Sequence, residues 1–133
     1  MNNKGFTLIE LIATIALLAI IATISFVAIT NIIKQGKVDN CKTLVNNIKT
    51  ATSEYVSDNR YKPVFVNAIS SDKITIDGSI LTSNNYLNGE IINPFTKEII
   101  LPSMISIDVT VNDDYTFKSA TITAPEVLVS CNQ

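Results

Sequence analysis

Histidine and tryptophan are both absent from the 133 residues, and glycine and proline occur only four times each. Without histidine the chain lacks the commonest general base and the commonest zinc ligand. No constellation of a nucleophile with an activating base takes its place. The 10 basic and 12 acidic residues leave a net charge of −2 and form no basic stripe, which disfavours nucleic-acid binding through a basic patch. The sequence predicts a protein that is not an enzyme and needs no cofactor.

Cysteine is scarce, and its spacing excludes the familiar metal and redox motifs. Cys41 and Cys131 lie 90 residues apart with no Cys-x-x-Cys pair. In an oxidising compartment a disulfide between them would stabilise the fold by about 4–5 kcal/mol in the chain-entropy model. Two free buried thiols are the alternative. The acidic turn Asp113-Asp114, even with Asp77 and Asp108, lacks the spaced oxygen ligands of a calcium loop, so we predict no metal.

Charge is missing from one long stretch near the N-terminus. From Leu11 to Ile33, 23 residues contain no charged residue, proline or glycine. As a helix this run spans ~34 Å, enough to cross a hydrocarbon core of ~30 Å. Glu10 lies at its border, and a charged residue at mid-bilayer costs ~2.5–3.5 kcal/mol, less near the edge. Glu10 therefore needs a partner.

Two common explanations of such a segment fit poorly. A secretory signal peptide has a shorter apolar region followed by a small-x-small cleavage site, whereas this run is too long. A lipoprotein signal needs a cysteine directly after the run, and Cys41 lies too far on. A plain membrane anchor explains the length and the flanking Lys4 and Lys34, but it does not explain Glu10 or the polar leader of residues 1–5.

The residues Lys4-Gly5-Phe6-Thr7-Leu8-Ile9-Glu10 resemble the class III leader junction of type IV prepilins and the related pseudopilins. The shared pattern is a basic residue, Gly, Phe, Thr, two aliphatic residues and Glu at the fifth mature position, followed by an apolar helix. The resemblance implies cleavage between Gly5 and Phe6 by a membrane-embedded prepilin peptidase at the cytoplasmic face. N-methylation of the new Phe6 amine would follow.

The resemblance also implies a role for Glu10 in assembly. In a filament, apolar helices pack side by side with axial stagger, and Glu10 can meet the Phe6 ammonium group of a neighbour. The Phe6 amine of its own chain, four residues back, is a competing partner. A carboxylate that is protonated or at headgroup level, with no assembly role, is the alternative. The implied partners are other pilin subunits in a homo- or hetero-polymer, the prepilin peptidase, a membrane assembly platform and, before assembly, the lipid bilayer.

The rest of the chain predicts a long helix and a small sheet. No proline occurs before Pro63, so a helix can run from Phe6 to about Ser57. Its second half is amphipathic, with apolar residues at spacings of three and four: Val38, Cys41, Leu44, Val45, Ile48, Ala51, Thr52, Tyr55 and Val56. Beyond it we predict a helix over 79–87 and extended segments over 73–76, 98–101, 105–111, 115–123 and 127–129, the last being an edge strand that carries Cys131.

These patterns predict an α+β fold, a long N-terminal helix packed on a small antiparallel sheet. Residues 1–5 would be a prepilin leader, 6–33 a transmembrane or filament-core helix, and 34–133 a head that includes the second half of the helix. The implied function is that of a type IV pilus-like filament subunit. A pseudopilin of a secretion or DNA-uptake system and a single-pass anchored binding module that never polymerises are the alternatives. The precursor would span the cytoplasmic membrane once, with the leader in the cytoplasm, before entering a filament at the cell surface or on the periplasmic side.

Overall fold

A computed structural model describes residues 5–62 and 73–131. The chain divides into two compact units, Met1–Gly36 and Lys37–Gln133. One helix, α1 (Leu8–Asn59), contributes to both units. It begins and ends within about two residues of the predicted bounds, because no proline interrupts it and Gly36 is its only glycine.

In the first unit the large apolar side chains of α1 are exposed on every side of the helix. No described residue covers the most apolar part of the helix, and the length and composition of this part suffice to cross a membrane. The hydroxyls of this segment are satisfied locally: Thr14, Thr23 and Ser25 donate to helix carbonyls one turn back, at 2.7, 2.7 and 2.9 Å. The helix therefore presents its surroundings with an apolar surface and few free polar groups.

In the second unit α1 buries one face. The predicted stripe is confirmed for most of its members, with Cys41, Val45, Ile48, Ala51, Thr52 and Val56 all buried. Val38 is an exception, because it stays 41% exposed. The one buried polar member, Thr52, donates its hydroxyl to the Ile48 carbonyl at 2.7 Å, so its burial leaves no hydrogen-bonding group unpaired.

The head contains a three-stranded antiparallel sheet in the order β1-β4-β5, made of Ile74–Asp77, Ser106–Val111 and Phe117–Ala124. A separate two-stranded ladder joins β2 (Ile91–Ile92) to β3 (Ile99–Ile100). Three isoleucines lie in register across the larger sheet and are at most 4% exposed: Ile76, Ile107 and Ile122. They form one hydrophobic cluster with the buried face of α1. The α+β prediction is confirmed.

Two short helices and a turn differ from the predicted elements. The predicted strand over 127–129 is wrong: Glu126–Ser130 form helix α3, in which Leu128 is fully buried. A short apolar run does not distinguish a strand from a helix by periodicity. Helix α2 (Gly78–Ser83) ends earlier than Leu87, because Asn85 takes a left-handed conformation with φ of 60°.

The hairpin between β4 and β5 also has a longer turn than predicted. Tyr115 has a φ of 63°, and the Asn112 amide donates to the Thr116 carbonyl at 2.8 Å. The second strand therefore begins at Phe117 and not at Tyr115. A 3₁₀ turn, Pro102–Met104, precedes β4.

Candidate assembly site

The N-terminus of α1 is closed by a reciprocal pair of hydrogen bonds between Thr7 and Glu10. The Glu10 amide donates to Thr7 Oγ1 at 3.3 Å, and the Thr7 amide donates to Glu10 Oε2 at 3.4 Å. This is a capping box, in which two of the amides left unpaired by the helix start are satisfied by side chains. The Thr-x-x-Glu spacing is a readable signal for a capping box, but no separate role was predicted for Thr7.

The capping box gives Glu10 a partner within its own chain. A carboxylate in the first turn is also stabilised by the helix dipole, by about 0.3–1 kcal/mol. Both effects lower the free energy of a negative charge at the border of the apolar segment. Because a carboxylate has two oxygens that accept several hydrogen bonds, Glu10 retains capacity for a second donor.

The structure brings the three residues of the predicted processing and assembly site together. Gly5, Phe6 and Glu10 line one shallow, open depression, with Thr7 between them. The Phe6 side chain is 82% exposed. A Cβ atom at Gly5 would meet nothing within 4 Å, so the fold itself does not require glycine there. The cleavage, methylation and assembly roles of these residues stay predictions.

The apolar surface begins directly after this depression. Large side chains on successive turns are all more than half exposed, including Ile12, Ile15, Leu17, Leu18 and Ile20. Successive residues point about 100° apart around a helix, so these five together surround it. A helix that is apolar on every side is stable only within a membrane or within a larger packed core.

In the head the predicted disulfide is confirmed, as Cys41 and Cys131 are bonded with their Cα atoms 5.6 Å apart. Cys41 is fully buried on α1, and Cys131 is the residue that caps the end of α3. The bond therefore ties the end of the described chain to the helix.

In the head, Asp108 and Asp77 accept hydrogen bonds that stabilise the local structure. Asp108 accepts hydrogen bonds from Lys73 Nζ at 2.5 Å and Thr75 Oγ1 at 2.7 Å. The Lys73 ammonium group is the main cause, and the Thr75 hydroxyl the second, of a pKa for Asp108 below its ordinary value. Asp77 caps α2 through the Ser79 amide at 2.7 Å. Among the described residues, no group of three or more His, Cys, Asp or Glu side chains is arranged to hold a metal ion.

Asp114, in the turn between β4 and β5, also accepts hydrogen bonds from neighbouring residues. Asp114 accepts hydrogen bonds from the Thr116 hydroxyl and, at 3.1 Å, from the Thr116 amide. These bonds hold the pKa of Asp114 below its ordinary value. The hydrogen bonds from Thr116 thus give Asp114 a structural role in the turn.

Comparison with known proteins identifies the N-terminal segment. Residues 1–26 match the family described as the prokaryotic N-terminal methylation motif. No curated protein and no solved structure matches the chain. The resemblance of the leader is thus confirmed, and the motif points to a structural protein that is processed as a prepilin. The chain carries a class III prepilin leader before an apolar helix, consistent with the type IV pilin and pseudopilin family.

Proposed function

We propose that this protein is a structural subunit of a type IV pilus-like filament, cleaved between Gly5 and Phe6 and assembled through the apolar half of α1. One observation supports the proposal most strongly. The methylation motif is followed by a helix whose large apolar side chains are exposed on every side, with the carboxylate of Glu10 in its first turn. A pseudopilin of a secretion or DNA-uptake system would use the same leader and helix.

The exposed apolar side chains of the first unit favour assembly through the hydrophobic effect. Burying one Leu or Ile side chain is worth about 1.5–3 kcal/mol relative to leaving it in water. The first unit exposes more than a dozen large apolar side chains, so it needs lipid or other protein around it at all times. Transfer from the bilayer into a bundle of neighbouring helices keeps these side chains out of water throughout assembly.

Charge pairing also favours assembly. Cleavage before Phe6 creates a new ammonium group, and within a bundle core that cation and the Glu10 carboxylate each lose water. An unpaired charge in such a place is far more costly than a paired one. A neighbour whose helix is displaced along the axis brings its Phe6 ammonium to Glu10, which selects one stagger among many. The Phe6 amine of the same chain competes for the same carboxylate.

The test follows the chain in native cells. Intact mass should show a mature N-terminus at methylated Phe6. Removing one partner of a buried ion pair costs about 3–5 kcal/mol, so Glu10→Ala should lower the yield of sheared filaments at least about tenfold. The disulfide-bonded head should remain folded in this variant.

The matched control is Glu54→Ala, which removes an exposed acid from the head portion of the same helix. Its filament yield should equal that of the wild type. Normal filaments from Glu10→Ala would contradict the role of Glu10. A wild-type chain that keeps Met1 and stays solitary in the membrane would instead favour the anchored, non-polymerising module.

A further inference from the structure

The loop between α2 and β2 contains an asparagine followed directly by a glycine, Asn88-Gly89. Both residues are exposed. Gly89 has a φ of 88°, a left-handed conformation that glycine adopts without steric cost. A Cβ atom at this position would meet nothing within 4 Å. The peptide bond between the two residues therefore has open space around it, next to the side-chain amide of a thermolabile residue type.

This arrangement allows a hydrolytic reaction within the chain. The Gly89 amide nitrogen, after losing its proton to hydroxide, attacks Cγ of Asn88. A new bond forms between this nitrogen and Cγ, the bond from Cγ to Nδ2 breaks, and Nδ2 leaves as ammonia after taking a proton from water. Water then opens the resulting five-membered succinimide at either carbonyl, giving aspartate or isoaspartate. One water molecule enters and one ammonia leaves, so no oxidant or reductant is required.

Few hydrogen bonds hold the two reacting groups. The Asn88 side-chain amide donates to the Asn85 carbonyl at 3.4 Å, which is longer than the usual range of about 2.7–3.2 Å. Among residues 5–62 and 73–131, the Gly89 amide has no hydrogen-bond acceptor. Ring closure at this pair therefore breaks little of the native structure.

A second pair that can form the same ring, Asp77-Gly78, is protected by the fold. The Gly78 amide donates to the Ile105 carbonyl at 2.8 Å, and the Asp77 carboxylate accepts from the Ser79 amide at 2.7 Å. Gly78 is buried, and a Cβ atom there would lie 2.7 Å from the Pro102 carbonyl oxygen. Ring closure at Asp77 would break both hydrogen bonds in a packed part of the head, whereas ring closure at Asn88 meets neither obstacle.

Other asparagines of the head differ from Asn88 in one of the two reacting groups. The Asn84 side-chain amide donates to the Ile80 carbonyl at 2.7 Å, a shorter hydrogen bond than that of Asn88. Asn93 is followed by Pro94, whose nitrogen carries no hydrogen and cannot become the nucleophile. These two residues are therefore internal controls for the chemistry at Asn88.

We propose that Asn88 is a modification site, at which the head is converted by hydrolysis to a form with aspartate or isoaspartate at this position. The reaction adds one negative charge two residues before Glu90, which is also exposed. Older copies of the protein carry more of this charge on the loop than newly made copies. The reaction takes place within one head, so it is independent of the proposed filament.

Incubation of the folded full-length protein in detergent, in water labelled with heavy oxygen, tests the chemistry. Peptide mass spectrometry should show the NH₂ group of Asn88 replaced by a hydroxyl that carries heavy oxygen, at a rate that rises in proportion to hydroxide concentration. Asn84 and Asn93 should stay unchanged. Asn88→Gln is the matched variant, and it should lose the product because its longer side chain would have to close a six-membered ring. An unmodified Asn88, or a rate independent of pH, would overturn the proposal.

Unfolding in guanidinium tests the structural basis of the proposal. Asn88 should react at a similar rate in the folded and the unfolded protein, because the fold leaves this pair unprotected. Asp77 should form isoaspartate only after unfolding, when its hydrogen bonds and those of Gly78 are lost. Reaction of Asn88 only after unfolding, or equal reaction of Asp77 in both states, would overturn the assignment.

Protein from native cells shows whether the site is used there. Digestion with pepsin at acid pH in heavy-oxygen water separates the two origins of the product, because fragment ions locate the oxygen at residue 88. Aspartate or isoaspartate formed in the cell carries ordinary oxygen, and its share should increase with the age of the culture. A product that carries only heavy oxygen arose during digestion and would overturn the proposal.

Discussion

The two halves of α1 share one helix but differ in what covers them. In the second unit, strands and short helices of the same chain cover one face, and Ile48 is fully buried. In the first unit Ile15, the same type of residue, is 58% exposed. The backbone geometry of the helix is common to both, so the difference lies in the origin of the packing partners. The second half finds them within the chain, whereas no described residue supplies them to the most apolar part of the first half.

Threonine hydroxyls form the same kind of hydrogen bond in both halves of α1. Thr14 and Thr23 in the first half and Thr52 in the second each donate a hydroxyl to a helix carbonyl at 2.7 Å. Local hydrogen bonding therefore does not distinguish a membrane or filament segment from a segment in a protein core. Apolar side chains make the distinction, because they need contacts that the helix alone cannot supply.

The disulfide offers the strongest way to test how independent the head is. Replacing both Cys41 and Cys131 by alanine opens a 90-residue loop and should lower the free energy of unfolding by about 4 kcal/mol. The four tyrosines all lie in the head, so tyrosine fluorescence during guanidinium unfolding in detergent reports on it alone: Tyr55, Tyr61, Tyr86 and Tyr115. Methylation of Phe6 should be unchanged. An unaltered unfolding midpoint would show that the hydrophobic core holds α1 and the end of α3 together without the disulfide.

A pair of identical substitutions compares the two halves directly. Ile48→Ala removes methyl groups from a fully buried site and should cost the head about 2–5 kcal/mol. Ile15→Ala, 33 residues earlier on the same helix, should leave the unfolding of the head unchanged. It should instead lower filament yield, because its contacts arise only after assembly. Equal destabilisation of the head by both variants would contradict a separate source of packing partners.

The smallest expected effect concerns charge within the head. Folding lowers the pKa of Asp108, so its contribution to stability is complete above the unfolded value of about 3.9. The contribution is lost as the pH falls through the lower folded value. At pH 7 Asp108→Asn should therefore cost about 1 kcal/mol, and the difference from the wild type should shrink at low pH. Asp113→Asn, in the adjacent turn, is the control, and a pH-independent difference for Asp108→Asn would contradict the linkage.

Much of the fold could be predicted from local patterns. The bounds of α1 follow from the absence of proline, and its buried face follows from spacings of three and four. The β4–β5 hairpin was predicted from alternation of Ile107 and Val109 with polar residues, although Tyr115 proved to be part of the turn. The two-residue strand β2 gave no readable signal, because a ladder as short as Ile91–Ile92 has no period of its own.

The candidate site also combines features that are readable from the sequence with features that depend on the tertiary structure. The leader, the apolar run and Glu10 are properties of consecutive residues, so the sequence by itself determined them. The tertiary structure decided what depends on distant contacts: that 126–130 form a helix around buried Leu128, that Cys131 reaches Cys41, and that Ile92 of β2 lies beside Leu44. Patterns of a few residues encode a helix and its polarity. Which surfaces of that helix remain exposed depends on residues far along the chain, because tertiary packing joins elements that are distant in sequence.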